Sequence, residues 1–399
     1  MPGSFRRAST CLLLGAVLLL ACSSSSPFRT RYYGPSGPPF ISPKGHSLWR
    51  HANDFATKTP AYRVILIGDA GATRPEEATL SDLGLWAEDG IDRTAVVFLG
   101  DNLYPSGLGN SDERGEGILL QQLRATRALK VFVPGNHDWG NVFPDAGKVA
   151  NQERFIEGFR ESPARFMPKG GCPGPALETL VEAGDGLSRG LHVMALDLDW
   201  WLLDADERPE CPGIGSEHDF LRRVARELRA RAGDFVIVAA HHPLRTGGPH
   251  GGYGRGWWTE RGIAIASFFG ATIQDLDVGR YRRMVRSLVP ALAKQPPLVY
   301  AAGHDHSLQV IEGRDTAGTL VVSGSGSSGN VTTTTAIAGT LFAHAYPGFV
   351  VIDFYGDTAD FGDASAPDRA VLRVIEAGRA RPVFEMELPE RNTGRSATR

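Results

Sequence analysis

Five short stretches of the sequence concentrate oxygen and imidazole donors. They are GDAG with Asp69, GDNLY with Asp101 and Tyr104, PGNHD with Asn136, His137 and Asp138, HHP with His241 and His242, and GHDH with His304 and His306. Of the 11 histidines in 399 residues, those five occupy three of these stretches. A single Gly-Asp after a strand is ordinary turn chemistry, Gly supplying φ > 0 and Asp a local hydrogen bond. Turn chemistry alone does not account for five such stretches in order, each with a metal-competent donor. Aspartate, asparagine and imidazole suit iron, zinc or manganese, and no cysteine lies close enough in sequence to make a thiolate site. Six or seven donors exceed what one tetrahedral ion takes and suit two ions sharing a bridging carboxylate. Two ions ~3.5–4 Å apart clamp a phosphoryl group, generate a hydroxide and stabilise both the attacking and the leaving oxygen.

Each stretch directly follows an apolar run: YRVILI (62–67), AVVFL (95–99), KVFV (130–133), FVIVAA (235–240) and LVYAA (298–302). Further runs are LHVMAL (191–196), TLVVS (319–323) and GFVVIDF (348–354). Near-continuous apolarity predicts strands buried on both faces. Helical patterns lie around 75–89, 116–128, 151–160, 217–231 and 280–294, the fourth opened by the capping-box spacing of Ser216 and Asp219. Alternating strands and helices predict an α/β architecture, in which ligands bind beyond the carboxyl ends of strands. Residues 163–190 and 200–215 read as loops, and 246–279 is rich in glycine and aromatics. Long insertions of this kind either contact substrate or decorate the surface.

As an ordered set, GD-x-G, GDN, GNHD, H-x-P and GHDH resemble the calcineurin-like metallophosphoesterase superfamily over roughly residues 60–356. Within it, GDN-x-Y and GHDH-x-LQ are similar to purple acid phosphatases, especially the small tartrate-resistant type. The resemblance implies a four-layer α/β/β/α sandwich of two mixed β-sheets flanked by helices. It places Asp69, Tyr104 and His306 on one metal and Asn136, His241 and His304 on the other, with Asp101 bridging. The implied pair is Fe(III) plus a divalent Fe, Zn or Mn. Phenolate from Tyr104 favours ferric iron and gives the purple colour; in the other reading Tyr104 packs on the cleft wall beside manganese, zinc or ferrous iron. The resemblance makes His137 an outer group that contacts phosphate and protonates the leaving alkoxide. His250 matches the second such histidine, or is an exposed loop residue. It reads His242 as a structural neighbour, Asp305 as a spacer or outer group, and Asp138 as the holder of its turn or of a histidine. SGSGSSGN (323–330) resembles the family's glycine-rich turn, and Trp200, Trp201, Trp257 and Trp258 read as packing residues rather than cleft walls.

The implied activity is hydrolysis of phosphate monoesters, on small molecules or phosphoproteins, by in-line attack of a metal-bound hydroxide. Alternatives are a phosphodiesterase or nucleotidase on the same scaffold, and a metal-binding surface lipoprotein without catalysis. The segment between His241 and His304 is longer than in the small tartrate-resistant enzymes, so their substrate preference does not carry over.

A net charge of -3 predicts no basic face, no polybasic membrane patch and no nucleic-acid partner. At the N-terminus, two arginines precede an apolar run of about eleven residues, too short to span a bilayer and typical of an export signal over residues 1–21. Leu19-Leu20-Ala21-Cys22 resembles a bacterial lipobox, implying lipidation of Cys22. Residues 22–55 then read as a flexible tether rich in Ser, Pro and Gly, 56–388 as the catalytic domain and 389–399 as a frayed tail. The expectation is an exported lipoprotein facing the periplasm or cell surface, and Ser23 resembles outer-membrane sorting. Of the four cysteines, Cys172 and Cys211 are then left to form a disulfide, or to stay as buried thiols.

Overall fold

The apolar runs form strands that are buried along their whole length, and alternate residues on them serve different cores. In the computed structural model the described residues are 32–34, 37–52, 58–74, 76–140, 143–253, 275–276, 279–356 and 368–389. The expected signal segment, Cys22, Trp257, Trp258 and the tail from 390 lie outside them. In chain order the elements begin with β1 (Tyr32–Tyr33), β2 (Phe40–Ile41), α1 (Pro43–Ala52), β3 (Tyr62–Ile67), α2 (Ala78–Glu88) and β4 (Thr94–Leu99). There follow α3 (Glu113–Arg124), β5 (Leu129–Val133), α4 (Ala146–Gly158), β6 (Ala164–Phe166), β7 (Ala176–Val181) and β8 (Leu191–Leu196). Next come α5 (Asp199–Leu202), α6 (Glu217–Ala230), β9 (Phe235–Ala240), α7 (Gly279–Ala293), β10 (Val299–Ala302) and β11 (Leu308–Glu312). The last are β12 (Thr319–Ser323), β13 (Thr334–Thr335), β14 (Thr340–His344), β15 (Gly348–Tyr355), β16 (Arg369–Glu376) and β17 (Phe384–Glu387).

One sheet has the order β17-β16-β15-β3-β4-β5-β6 and the other β2-β14-β11-β12-β10-β9-β8-β7. Both are mixed: β3 to β6 run parallel while β15, β16 and β17 pair antiparallel, and β8, β9, β10 and β12 run parallel while β7, β11, β14 and β2 are antiparallel. Successive side chains on a strand point to opposite faces. Val64, Leu66, Val97 and Leu99 therefore meet Ile237, Ala239, Val299 and Ala301 between the sheets. Ile65, Ile67, Val96 and Phe98 face Leu83, Leu119 and Ile156 of α2, α3 and α4. On the far side Val236, Val238 and Ala240 face Phe220, Val224 and Leu228 of α6 and Met284 and Leu288 of α7. Helix, sheet, sheet and helix layers are the expected sandwich. Ser216 caps α6, its Oγ accepting from the Asp219 N–H at 3.2 Å.

Several expectations need correction. Residues 163–190 are not all loop, since they hold β6 and the edge strand β7, and 200–215 opens with the end of α5. Part of the expected tether carries structure, as β2 and α1. Phe40 and Ile41 pair with Ala343 and Phe342, and α1 lays Leu48 and Trp49 on the inter-sheet core, Trp49 edge-on to Phe384 at 6.0 Å. Arg222, Arg223, Arg226 and Arg229 of α6 line an open groove with Lys294 just beyond α7, where Asp219 pairs with Arg222 and Glu227 with Arg226. Cys172 and Cys211 are joined as a disulfide across a sequence separation of 39, linking the loop after β6 to the loop after α5.

Candidate functional site

The five donor-bearing stretches leave β3, β4, β5, β9 and β10 and converge. Their backbones interlock first: the Asp69 N–H donates to Gly100 O at 2.9 Å, Gly71 N–H to Asp101 O at 3.0 Å and Gly303 N–H to His241 O at 3.0 Å. Asp69, Asp101 and His304 adopt left-handed φ values of 59°, 53° and 68°. A non-glycine residue there costs on the order of 1–3 kcal/mol and persists where surroundings over-determine it, commonly at functional sites. The glycines of the motifs are equally constrained. A Cβ on Gly303 would sit 2.5 Å from Asp69 Oδ2, and one on Gly135 would sit 2.5 Å from the Asp101 nitrogen.

Two donor groups result. In the first, the Tyr104 hydroxyl lies 2.9 Å from Asp69 Oδ1, 2.8 Å from Asp101 Oδ2 and 3.1 Å from His306 Nε2. In the second, Asn136 Oδ1 lies 2.9 Å from His241 Nε2 and 3.0 Å from His304 Nδ1, and those two nitrogens are 3.1 Å apart. Asp101 joins the groups, because its other oxygen, Oδ1, is 3.4 Å from His241 Nε2. Backbone carbonyls settle two tautomers: His241 Nδ1–H donates to Leu99 O at 2.9 Å and His306 Nδ1–H to Asn330 O at 2.7 Å. A carbonyl only accepts, so each Nε2 keeps its lone pair for the centre.

The electrostatics suit a cation. Burial alone would raise the Asp101 carboxyl, yet the charges and hydrogen bonds of His241 and His137 hold it far below the usual range. Burial opposes charge on His241, but Asp101 outweighs it and pushes the imidazole up to about 10. Burial likewise opposes charge on His306, and Asp69 more than offsets it. Burial, then Asp101 and Asp69, drive the Tyr104 phenol well above its ordinary value. Donor atoms of Asp69, Asp101 and His306 lie within 4.8 Å of one another. Buried carboxylates that draw protons onto neighbouring imidazoles form a donor set into which metal ions fit, since ligation displaces those protons.

Around this centre, His137 donates Nδ1–H to Pro105 O at 2.6 Å and packs its ring 4.2 Å from that of Tyr104. The His250 ring lies 3.9 Å from the His304 ring. His242 is buried against Tyr281 and His304 at 5.2 and 4.7 Å, a packing position beneath the centre. Asp138 accepts from the Asn102, Leu103 and Gly135 N–H groups at 3.0, 3.2 and 2.8 Å, binding two of the turns together. Burial and the charge on Asp101 push its carboxyl up to about 7. Asp305 is more than a spacer, since it accepts the His250 N–H at 3.1 Å. In the glycine-rich turn, Ser327 Oγ donates to Asp69 O at 2.8 Å, and Trp200 and Trp201 belong to the core under α6. Sequence reasoning missed Asp275, which meets His250, and Ser327, whose serine-rich surroundings carry no distinguishing signal.

Residues 62–308 match the calcineurin-like phosphoesterase family. The chain is 23% identical over 286 residues to mouse tartrate-resistant acid phosphatase type 5, covering 67% of this chain and 73% of that one. Against the human protein of the same name it is 23% identical over 292 residues, covering 67% and 74%. Among solved structures, GAP50, the anchor in the inner membrane complex of Plasmodium, superposes with a TM-score of 0.56 at 16% identity, covering 83% of this chain and 90% of that one. The chain belongs to the calcineurin-like phosphoesterase family.

Proposed function

We propose that this protein is a binuclear phosphomonoesterase of the acid phosphatase type, with Fe(III) and a divalent Fe, Zn or Mn as its ions. The observation that carries the reading is Asp101, whose two oxygens face two separate donor groups, as a bridging carboxylate must. Asp69, Tyr104 and His306 would hold one ion, and Asn136, His241 and His304 the other. Two ions supply Lewis acidity to the phosphoryl group and to the attacking water. The chain's own contributions are positional. Leu99 and Asn330 carbonyls orient imidazoles, and Asp138 locks the Asp101 and Asn136 turns. With Nδ1–H committed to Pro105, His137 keeps Nε2 for the ester, 3.9 Å from Asp101 Oδ2. Proton donation to a leaving alkoxide from such a place contributes ~10²–10⁴-fold.

The deciding assay is hydrolysis of p-nitrophenyl phosphate against bis(p-nitrophenyl) phosphate by the metal-loaded full-length chain from acidic to neutral pH. Faster monoester turnover is expected. Preference for the diester would replace this reading with a phosphodiesterase, and no turnover of either would leave a binding protein. We further propose anchoring of the exported chain by lipid on Cys22, facing the periplasm or cell surface. Its support is the Leu-Leu-Ala-Cys sequence after a short apolar run. Cys22→Ala should move the protein from the membrane pellet to the soluble fraction, and an unchanged pellet fraction would defeat the anchor.

A further inference from the structure

The long segment after His241 comes back to the site at its far end. Asp275 Oδ1 lies 2.7 Å from His250 Nδ1, and the next residue, Leu276, donates its N–H to the His250 carbonyl at 2.9 Å. Asp305 holds the same residue from a third direction through the His250 N–H. His250 is thus fixed at side chain, carbonyl and amide, with its ring against His304 at a 36° interplanar angle. The Asp275 carboxylate is 6% exposed while the His250 side chain is 35% exposed, so the acid lies behind the imidazole rather than competing for ligand. A carboxylate on Nδ1 sets the tautomer and leaves Nε2 as the nitrogen offered to a ligand.

We propose that Asp275 is a positioning residue that holds His250 against the phosphoryl group of the substrate. The inference rests on the phosphoesterase reading of this centre and adds a residue from the insertion to its working parts. Accepting the Nδ1–H is the contact that gives it this role. An amide oxygen can also accept that proton, so Asp275→Asn should retain most function, whereas Asp275→Ala should not.

The test uses the metal-loaded full chain with Asp275→Ala, Asp275→Asn, His250→Ala and the double Asp275→Ala/His250→Ala variant. Two quantities are read: kcat/KM for p-nitrophenyl phosphate, and calorimetric affinity for orthophosphate. Asp275→Ala should lose about 10- to 100-fold in kcat/KM, as expected when the partner orienting a site histidine is removed. It should also weaken orthophosphate binding, and Asp275→Asn should rescue both. Once His250 is alanine, removing Asp275 should cost nothing more, because a residue acting through another is non-additive with it. An additive double variant, or Asp275→Ala equal to wild type in both readouts, overturns the proposal. Wild type that hydrolyses no phosphoester sinks the phosphoesterase reading instead, and the orthophosphate affinities then decide the role of Asp275 by themselves.

Discussion

Asp101→Asn should remove bound metal and activity together. Asp101 sits between the Tyr104 hydroxyl at 2.8 Å and His241 Nε2 at 3.4 Å, and its backbone φ of 53° aims it there at a conformational cost. Asparagine keeps the shape and one acceptor but loses the charge, and that charge is what pushes His241 up to about 10. Without it neither donor group has a shared anion, so metal content should fall well below that of wild type and kcat/KM by ~10³-fold or more. The metal-free variant should melt below metal-free wild type, because removing the carboxylate breaks a buried charge pair with His241 and leaves the imidazole without its partner. Wild type alone should then gain stability on metal addition, since a ligand that binds only the folded state stabilises it by mass action. Metal analysis, melting with and without chelator, and the p-nitrophenyl phosphate assay check the three parts. A variant that keeps two metals and turns over within about tenfold of wild type removes the basis for a bridging role.

The inner donors were legible because each lies in the first turn after an apolar run, where both the strand and its exit can be read locally. Their supports were not. Leu99 and Asn330 act through backbone carbonyls, which any residue type would supply, and Asp275 reaches His250 only because the chain returns across the cleft. The same limit applies to the strands. β16 was missed because Arg369 and Arg373 interrupt its apolar run, yet Arg373 is 6% exposed and sits against Asp353 and Glu385 in a paired network. Charge compensation supplied by distant strands makes such a sequence look like surface. α1 was hidden for a related reason. Its Trp49 stands in a segment whose composition reads as linker, and only the pocket beside Phe384 turns it into core.

Tyr104→Phe should abolish the visible colour of the ferric-loaded protein. The hydroxyl has one proton for three neighbours, at 2.9 Å to Asp69 Oδ1, 2.8 Å to Asp101 Oδ2 and 3.1 Å to His306 Nε2. With no cation in the centre, burial and the two carboxylates keep the phenol protonated, its pKa driven well up. A nearby multivalent cation reverses that sign, because its charge becomes the largest local one and favours phenolate. Wild type loaded with Fe(III) should then show a charge-transfer band that the variant, keeping the ring but not the oxygen, lacks. Losing one ligand of several should cost about 10- to 100-fold in kcat/KM, the scale seen when metal surroundings are perturbed. In protein loaded with zinc or manganese alone the same substitution should matter less, since a hard phenolate is worth most to a ferric ion. A band that survives in the variant, or is missing from ferric wild type, would place Tyr104 on the cleft wall and assign the first ion to Asp69, Asp101 and His306 without it.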